Sequence, residues 1–359
     1  MEQFQNIKTS INNAKNIKII FSENPDDDVL GSVLALYAAF RQLNKKVSLL
    51  SERLPQKAKR FLNFEKKKIM ITLNEEVSEI YYEKKGDHVD LNIVPKNQNF
   101  NSENFSWEIV PEKINNKGDS EPSVEPLDLI LIIGIPRFKE VEKYLPTDEE
   151  ELFACTIVNI DKNIANENYG DVNIVEQGFL TKTIALLIKE LTEYSFATEV
   201  FDFLLFGFFS QKRLSAKDIS TIKWITSNNG TLDSYFKYQN EQKPLWATYL
   251  EEALKNISTS ENNDVVFSYL PIEKEVNDKE KIKNILQVSK LFREWINPST
   301  FFLCFEEDYQ TKTIFYSSST SIINKTSSQY KGKFKETGGI IMNKEDNPME
   351  AVNELKKAL

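Results

Sequence analysis

The stretch NIKIIFSENPDDDVLGSVLALYAAFRQLNKKVSLL, residues 16–50, decides the fold. Ile17–Phe21 is a short β-branched run, Val29–Leu43 carries apolar residues at helical spacing, and Val47–Leu50 is apolar again. That succession is the pattern of a βαβ unit, so the two strands should run parallel. An acidic turn, Ser22–Asp28, joins the first strand to the helix and contains Asp26, Asp27 and Asp28. In open parallel sheets the reactive crevice lies beyond the carboxyl ends of the strands, so a functional site should begin at these carboxylates. A structural role competes with that reading, because acids at a helix start cap free N–H groups and complement the helix dipole.

Working outward, residues 1–15 read as an amphipathic helix expected to pack beside the first strand. The parallel pattern resumes at LDLILIIGI, Leu127–Ile135, which is apolar on both faces as a central strand should be. A helix around Phe138–Leu145 and a strand TIVNID ending at Asp161 follow. Thr181–Tyr194 reads as a helix, Phe201–Phe209 as a further buried helix, and helical periodicity continues to about Ile257. Between these parts the pattern turns to alternation over about 69–114, with Gly86-Asp87 as a hairpin signal, which implies an inserted antiparallel ribbon on the edge of the sheet. The basic run after Leu50 reads as a solvated surface, and Asn115–Pro126 as a loop. STSENND, Ser258–Asp264, has linker composition, and the residues beyond it spell a second, smaller α/β module. The expected architecture is therefore α/β: a parallel-sheet domain over 1–257, a linker over 258–264, and a C-terminal domain over 265–359.

With 359 residues the chain is long enough for two cores. Its net charge of -9 supplies no general counterion-release term for tight, sequence-independent nucleic-acid binding, which leaves a small ligand held in one local cleft. Cys155 and Cys304 show neither metal-ligand nor redox spacing, so buried free thiols in a reducing, cytoplasmic setting are expected. The first residues, MEQFQNIKTS, lack the apolar core of a signal peptide. The longest apolar run falls well short of the roughly 18–20 residues that span a bilayer, so no membrane partner is expected.

PDDDVLGS resembles the first motif of the DHH phosphoesterases, a superfamily that includes the RecJ exonucleases and the oligoribonuclease/pAp phosphatases. The motif is His-x-x-Pro-Asp-x-Asp-x-x-Gly-Ser, and the matching positions here are Ser22, Pro25, Asp26, Asp28, Gly31 and Ser32. NIDKNIANENYGDVNIVE, residues 159–176, is similar to the family's later segment built around an Asp-His-His triplet. The resemblance implies two divalent metals, usually manganese, gripped by eight positions; such a pair, roughly 4 Å apart, needs shared oxygen ligands and open positions for water and phosphate. Asp26, Asp28 and Asp161 are retained as a remnant metal set. Ser22, Gly134, Lys162, Asn163 and Gln211 replace the other five, and all imidazoles are gone. Such a remnant would bind hard cations weakly. No cofactor is therefore expected, with manganese or magnesium the ions if any activity remains. Asp161 reads equally as a turn anchor. Lys162 is expected to stand in for the lost metals as a counterion to Asp26, Asp28 or both, because clustered carboxylates otherwise repel and take up protons.

The C-terminal module resembles the DHH-associated domain, DHHA1, in which a strand bearing an Arg-Ser pair precedes a GGGH loop that grips phosphate. Ser318 falls at the arginine position, Gly338 and Gly339 preserve part of the loop as candidate substrate-binding residues, and Ile340 replaces the histidine. A Gly-Gly pair is also a common tight turn. Lys331, Lys333 and Lys335 could attract phosphate or form one solvated strand face. Three functions are consistent with this pattern. The first is a DHH-type pseudoenzyme binding nucleotides or short single-stranded oligonucleotides in the interdomain cleft. The second is a divergent metal-dependent hydrolase of oligoribonucleotides, pAp or cyclic dinucleotides. The third is a structural, partner-binding protein, as a homodimer for example. Whether the chain is an enzyme stays open at this level.

Overall fold

Ile17, Ile19, Ile20 and Phe21 are fully buried, and the strand they form lies inside a parallel sheet. The computed structural model describes residues 2–359 apart from 23, 51–66, 74–76, 86–87, 96–104, 112–125, 147, 192–193, 211–213, 215–217, 261–263, 272–277, 308 and 346. The chain begins with α1 (Glu2–Asn13), then β1 (Asn16–Phe21), α2 (Asp27–Gln42) and β2 (Lys46–Leu50). β1 and β2 pair in parallel, Ile17 against Val47 and Ile20 against Leu50, as the βαβ pattern predicts. Asp26 is the N-cap of α2, its side chain accepting from the Val29 N–H. A carboxylate there satisfies one of the four N–H groups a helix start leaves unpaired.

Residues 59–124 form a compact unit of their own. Its strands are β3 (Lys67–Leu73), β4 (Val77–Lys85), β5 (His88–Pro95) and β6 (Phe105–Pro111). β4 and β5 pair antiparallel with Lys85 opposite His88, as the Gly86-Asp87 signal implies, and β3 pairs antiparallel with β6. The basic run 51–66 and most of the loop 115–126 lie outside the described residues.

Residues 1–58 and 125–359 form the second unit. It continues with β7 (Leu129–Ile133), α3 (Phe138–Val141) and the 3₁₀ turn Glu142–Tyr144. Next come α4 (Glu149–Ala154), β8 (Thr156–Asp161), β9 (Val172–Val175) and α5 (Leu180–Glu190). All five residues of β7 are fully buried, each such side chain being worth about 1.5–3 kcal/mol of burial. The strand order is β2-β1-β7-β8-β9 with every pair parallel. From β1 the chain steps outward to β2, and from β7 it steps the other way to β8 and β9. The point where the order reverses, between the tips of β1 and β7, is where open α/β sheets gather ligands. α5 ends at Glu190, short of the Tyr194 that periodicity suggested. α1 makes its main contacts with α5 and β9, not beside β1. Ile7 and Ile11 are its fully buried residues, and Gln5 hydrogen-bonds Glu190 at 3.0 Å.

α6 (Thr198–Phe209) is buried on nearly every side, followed by α7 (Ile219–Ser227), α8 (Asp233–Gln239) and α9 (Leu245–Lys255). α2 packs on α6 through Gly31 and Gly207. A Cβ added at Gly31 would lie 2.7 Å from the Gly207 Cα, so the two backbones touch and only glycine fits.

A second, mixed sheet follows. Its strands and helices are β10 (Ser258–Thr259), β11 (Val265–Tyr269), α10 (Asp278–Leu291), β12 (Thr300–Glu307), β13 (Gln310–Ser317), α11 (Thr320–Gln329), β14 (Lys331–Lys335), β15 (Gly338–Met342) and α12 (Pro348–Ala358). The order is β10-β11-β12-β13-β15-β14, with β11 and β12 parallel and the rest antiparallel. The first residues of the linker-like stretch, Ser258–Thr259, are thus already paired into this sheet, opposite Phe267 and Val266. α12 covers one face, where Phe302, Cys304, Phe315 and Ile341 meet Ala351, Val352 and Leu355. Cys155 and Cys304 are buried free thiols, and burial pushes their pKa values up to about 11 and about 12. Among the described residues no helix is long and apolar enough to cross a membrane.

Candidate functional site at the strand tips

Three turns converge beyond the carboxyl ends of β1, β7 and β8. The first carries Asp26 and Asp28 into α2. Asp26 is half-exposed, and its Oδ1 accepts from the Val29 N–H at 2.9 Å. Asp28 is fully buried. Its Oδ1 accepts the Thr181 N–H at 2.9 Å and the Thr181 hydroxyl at 2.7 Å, and its Oδ2 accepts the Leu180 N–H at 3.0 Å. Phe179, the N-cap of α5, provides no side-chain acceptor. Asp28 fills that role from a distant turn, its negative charge facing the positive end of the helix dipole.

The third turn leaves β8 at Asp161, which is nearly fully buried. Asp161 Oδ1 accepts the N–H groups of Lys162 and Asn163 at 2.7 and 3.2 Å, and Oδ2 accepts from Asn166 Nδ2 at 2.8 Å. The turn so fixed aims Lys162 across the tips. Its ammonium lies 2.6 Å from Asp26 Oδ2 and 3.0 Å from Asp28 Oδ2. Burial alone would lower the Lys162 pKa. The hydrogen bond to Asp26 and the charge of Asp28 outweigh it and hold the ammonium above the ordinary lysine value.

The remaining sequence candidates fall into place around this ion cluster. Gly134 follows β7 directly, with φ +68°, and a Cβ there would come 3.0 Å from Val29 Cγ2. Asn163 is exposed and accepts the Ala165 N–H at 3.0 Å, closing the turn beyond Asp161. Ser22 is half-buried at the tip of β1. Gln211 lies outside the described residues. Gly338 and Gly339 open strand β15, where added Cβ atoms would come 2.2 Å from Phe315 O and 2.3 Å from Lys333 O. Close strand packing accounts for both glycines. Ile340 is a partly exposed residue of the same strand, and Ser318 follows β13, its hydroxyl donating to Ser299 O at 3.1 Å. Lys331, Lys333 and Lys335 are all exposed on the edge strand β14.

Residues that sequence reasoning passed over complete the site. Thr181 belongs to a segment read only as a helix, yet it is the main partner of Asp28. Asn166 bridges Asp161, Asn159 and the carbonyl of Ile135, while Asn159 donates to Asn166 at 2.6 Å and to Asn173 at 3.2 Å. These asparagines are the Asn positions of the NID…N…G..N pattern, and that spacing was the signal available for them. At the switch point lies a cleft of about 550 Å³ lined by Phe21, Ser22, Asn24, Ile135, Lys139, Glu140, Lys143 and Tyr144. Lys139 and Lys143 stand one turn apart, so they share a side of the α3 segment.

A dinuclear metal centre does not fit these residues. Both oxygens of Asp28 carry two donors each, Asp161 Oδ1 carries two, and a lysine ammonium stands between Asp26 and Asp28 where a cation would have to go. Among the described residues, no group of three or more His, Cys, Asp or Glu side chains is placed to hold a metal ion.

No protein-family model matches the chain, and no curated protein matches it either. Among solved structures, the chain aligns with an exopolyphosphatase-related protein from Bacteroides fragilis at 14% identity and a TM-score of 0.41, covering 99% of this chain and 95% of that one. It aligns with a putative family II inorganic pyrophosphatase from Methanococcus jannaschii at 11% identity and a TM-score of 0.22, covering 64% and 80%. A third alignment, with RecJ in complex with Mn2+ from Thermus thermophilus, has 10% identity and a TM-score of 0.30, covering 99% and 53%.

Proposed function

We propose that this chain is a non-hydrolytic relative of the DHH phosphoesterases that binds a nucleotide or short oligonucleotide through its phosphate at the strand tips. The observation that carries the reading is the Lys162 ammonium, seated between Asp26 and Asp28. It supplies the positive charge that a metal pair would have given those carboxylates, but it offers no open coordination position to activate water. In this reading residues 1–257 form the ligand-binding domain and residues 265–359 the associated domain. The cleft at the switch point is lined wholly by residues of the first sheet and its flanking turns, so the ligand belongs there and not between the two sheets. In this reading Lys139 and Lys143 supply the charge that meets the phosphate and Ser22 and Asn24 the hydrogen bonds, with the Lys143 ammonium lying over the Tyr144 ring, 4.7 Å from its centroid. The size suits one nucleotide, since small-molecule clefts span about 300–1,000 Å³.

The test is a paired measurement on the full chain. Thermal unfolding is followed with AMP, pAp and the dinucleotide pApA, and turnover of the same compounds is followed with manganese present. Nucleotide-dependent stabilisation that Lys139→Ala/Lys143→Ala abolishes, without turnover, is the expected result. Manganese-dependent turnover lost in Asp28→Ala would establish the hydrolase instead.

A further inference from the structure

The second sheet carries a cluster of buried oxygen atoms that the strand-tip site does not use. Alternation along the strands sets which residues share a face. Phe302 and Cys304 face α12, so Glu306 does as well; Phe315 faces α12, so Thr313 and Thr311 do; Ile341 faces α12, and Asn343 continues that side. Across the strands, Glu306 pairs directly with Thr311. The Asn343 N–H donates to Thr311 O at 3.0 Å, which puts Asn343 on the other flank of Thr311. Side chains opposed in this way on one face have Cβ atoms about 4.5–5.5 Å apart. Glu345 lies two residues further on, where the chain crosses from β15 to α12. It is close enough to Cys304 to help hold that thiol's proton on, after burial, and it shares a hydrogen bond with Glu354 of α12. Glu345 follows Asn343 by two residues, and its Oε2 is buried.

Four side-chain oxygens in this group are buried without a hydrogen-bond partner: Glu306 Oε2, Thr311 Oγ1, Asn343 Oδ1 and Glu345 Oε2. Thr311 itself is 1% exposed. The Asn343 amide is oriented by its Nδ2, which donates to Thr313 Oγ1 at 2.7 Å and to Thr311 O at 3.3 Å, leaving Oδ1 as the free acceptor. A buried acceptor without a partner costs about 1–3 kcal/mol, more if charged, and four neighbouring ones of this kind call for one common partner. Two of them belong to carboxylates and one to an amide carbonyl, so the group is acceptor-rich and carries negative charge, which a single cation would satisfy together.

We propose that Glu306, Thr311, Asn343 and Glu345 form a binding site for a hard divalent cation, specifically calcium, that ties the β12–β13 hairpin to the crossing into α12. The donor set is entirely oxygen, which suits calcium, magnesium or manganese over zinc or copper. Burial selects among these: magnesium gives up its waters reluctantly and demands near-ideal octahedral geometry, whereas calcium accepts irregular sets of carboxylate, amide and hydroxyl oxygens.

The experiment is calorimetric titration of calcium chloride into chelator-treated full-length protein, with thermal unfolding followed in parallel. One calcium per chain and a saturable rise in melting temperature are expected, with magnesium chloride giving a smaller rise. Glu306→Gln and Glu345→Gln should each weaken binding by at least about tenfold, since charge count sets affinity in such sites. Glu199→Gln, an exposed carboxylate in the first turn of α6, should leave the calcium affinity unchanged. If the glutamine variants do not fold, Asn343→Asp serves instead and should tighten binding by adding a ligand charge. No calcium response up to millimolar concentration would overturn the proposal, leaving water as the partner of these oxygens. Wild-type affinity in Glu306→Gln, Glu345→Gln or Asn343→Asp, or loss of binding in Glu199→Gln, would overturn it equally by placing the ion elsewhere.

Discussion

The Lys162 ammonium lies 3.0 Å from a carboxylate oxygen of Asp28, a residue with no solvent exposure. Removing one member of a buried pair costs about 3–5 kcal/mol. Here Lys162 is about a third exposed, and Asp28 keeps three other donors. Lys162→Met should therefore destabilise by about 1–2 kcal/mol after that discount. Because the folded Lys162 pKa is raised, its contribution is fully present below the ordinary lysine value of about 10.4 and is lost as pH rises through the folded value. The difference between wild type and Lys162→Met in urea unfolding should thus be flat from about pH 7 to 9 and shrink above about pH 10. Equal stability of the two proteins at pH 7 would show that the ammonium contributes nothing.

The sequence announced the residues of this pair but not how tightly they would be held. Asp26, Asp28 and Lys162 sit in motifs whose spacing is set by the strand–turn–helix units, and such local patterns are readable from one chain. Thr181 is not local in that sense: it meets Asp28 only because α2, α5 and α6 pack together, and nothing in its own helix marks it as a donor. The cleft escaped for the same reason, since Phe21 and Lys143 lie far apart in sequence and adjacent only at the switch point. The glycines at 338 and 339 show a different limit. A short glycine pair has the same spelling in an anion loop and in a tightly packed strand, and the close approach of Phe315 O and Lys333 O becomes visible only in the fold. α1 was displaced from its expected place because amphipathic periodicity states that a face is buried without stating against what.

Asp202 sets a second pH dependence, away from the strand tips. Burial raises its carboxyl pKa to about 6, against the opposing hydrogen bonds from the Thr231 N–H at 2.6 Å and the Thr231 hydroxyl at 3.0 Å. Asp233 and Glu251 push the same way as burial, although Lys243 pairs with both, at 2.9 and 2.8 Å. For a folded pKa above the unfolded one, the native state binds the proton more tightly, so stability is greatest at low pH and falls as pH rises through the window from about 4 to 6. Asp202→Asn should remove that fall and make the protein about 1–2 kcal/mol more stable at pH 7, within the roughly 1.4 kcal/mol per pKa unit available. Chemical unfolding of both proteins at pH 4.5 and 7 measures it; parallel losses between the two pH values would count against the assignment.

Restoring a carboxylate at position 134 should fail to rebuild a metal site. Gly134 has φ +68°, where a side chain costs about 1–2 kcal/mol, and its Cβ would press on Val29 Cγ2. Gly134→Ala is therefore expected to lower stability by about that amount, and Gly134→Asp by at least as much. Manganese should not raise the melting temperature of Gly134→Asp, because Lys162 still occupies the space between Asp26 and Asp28. A manganese-dependent increase of several degrees in that variant alone would mean that one missing ligand, and not the lysine, had closed the site to metal.

The packing of α2 on α6 should be felt at the strand tips. A Cβ at Gly207 would come 2.2 Å from Thr181 Oγ1, the hydroxyl that donates to Asp28. Gly207→Ala must therefore move Thr181 or spread the helices, and overpacking of this kind costs about 1–3 kcal/mol. Thr181→Val removes the hydroxyl without adding a clash at Gly207 from another residue, and should cost about 1–3 kcal/mol by leaving the buried Asp28 one donor short. If both variants act on the same hydroxyl, their effects are not independent, and the double variant should lose less stability than the sum of the singles. Urea unfolding of the two singles and the double measures that coupling. Strict additivity would mean that Gly207 guards only the helix spacing and has no part in holding Thr181 on Asp28.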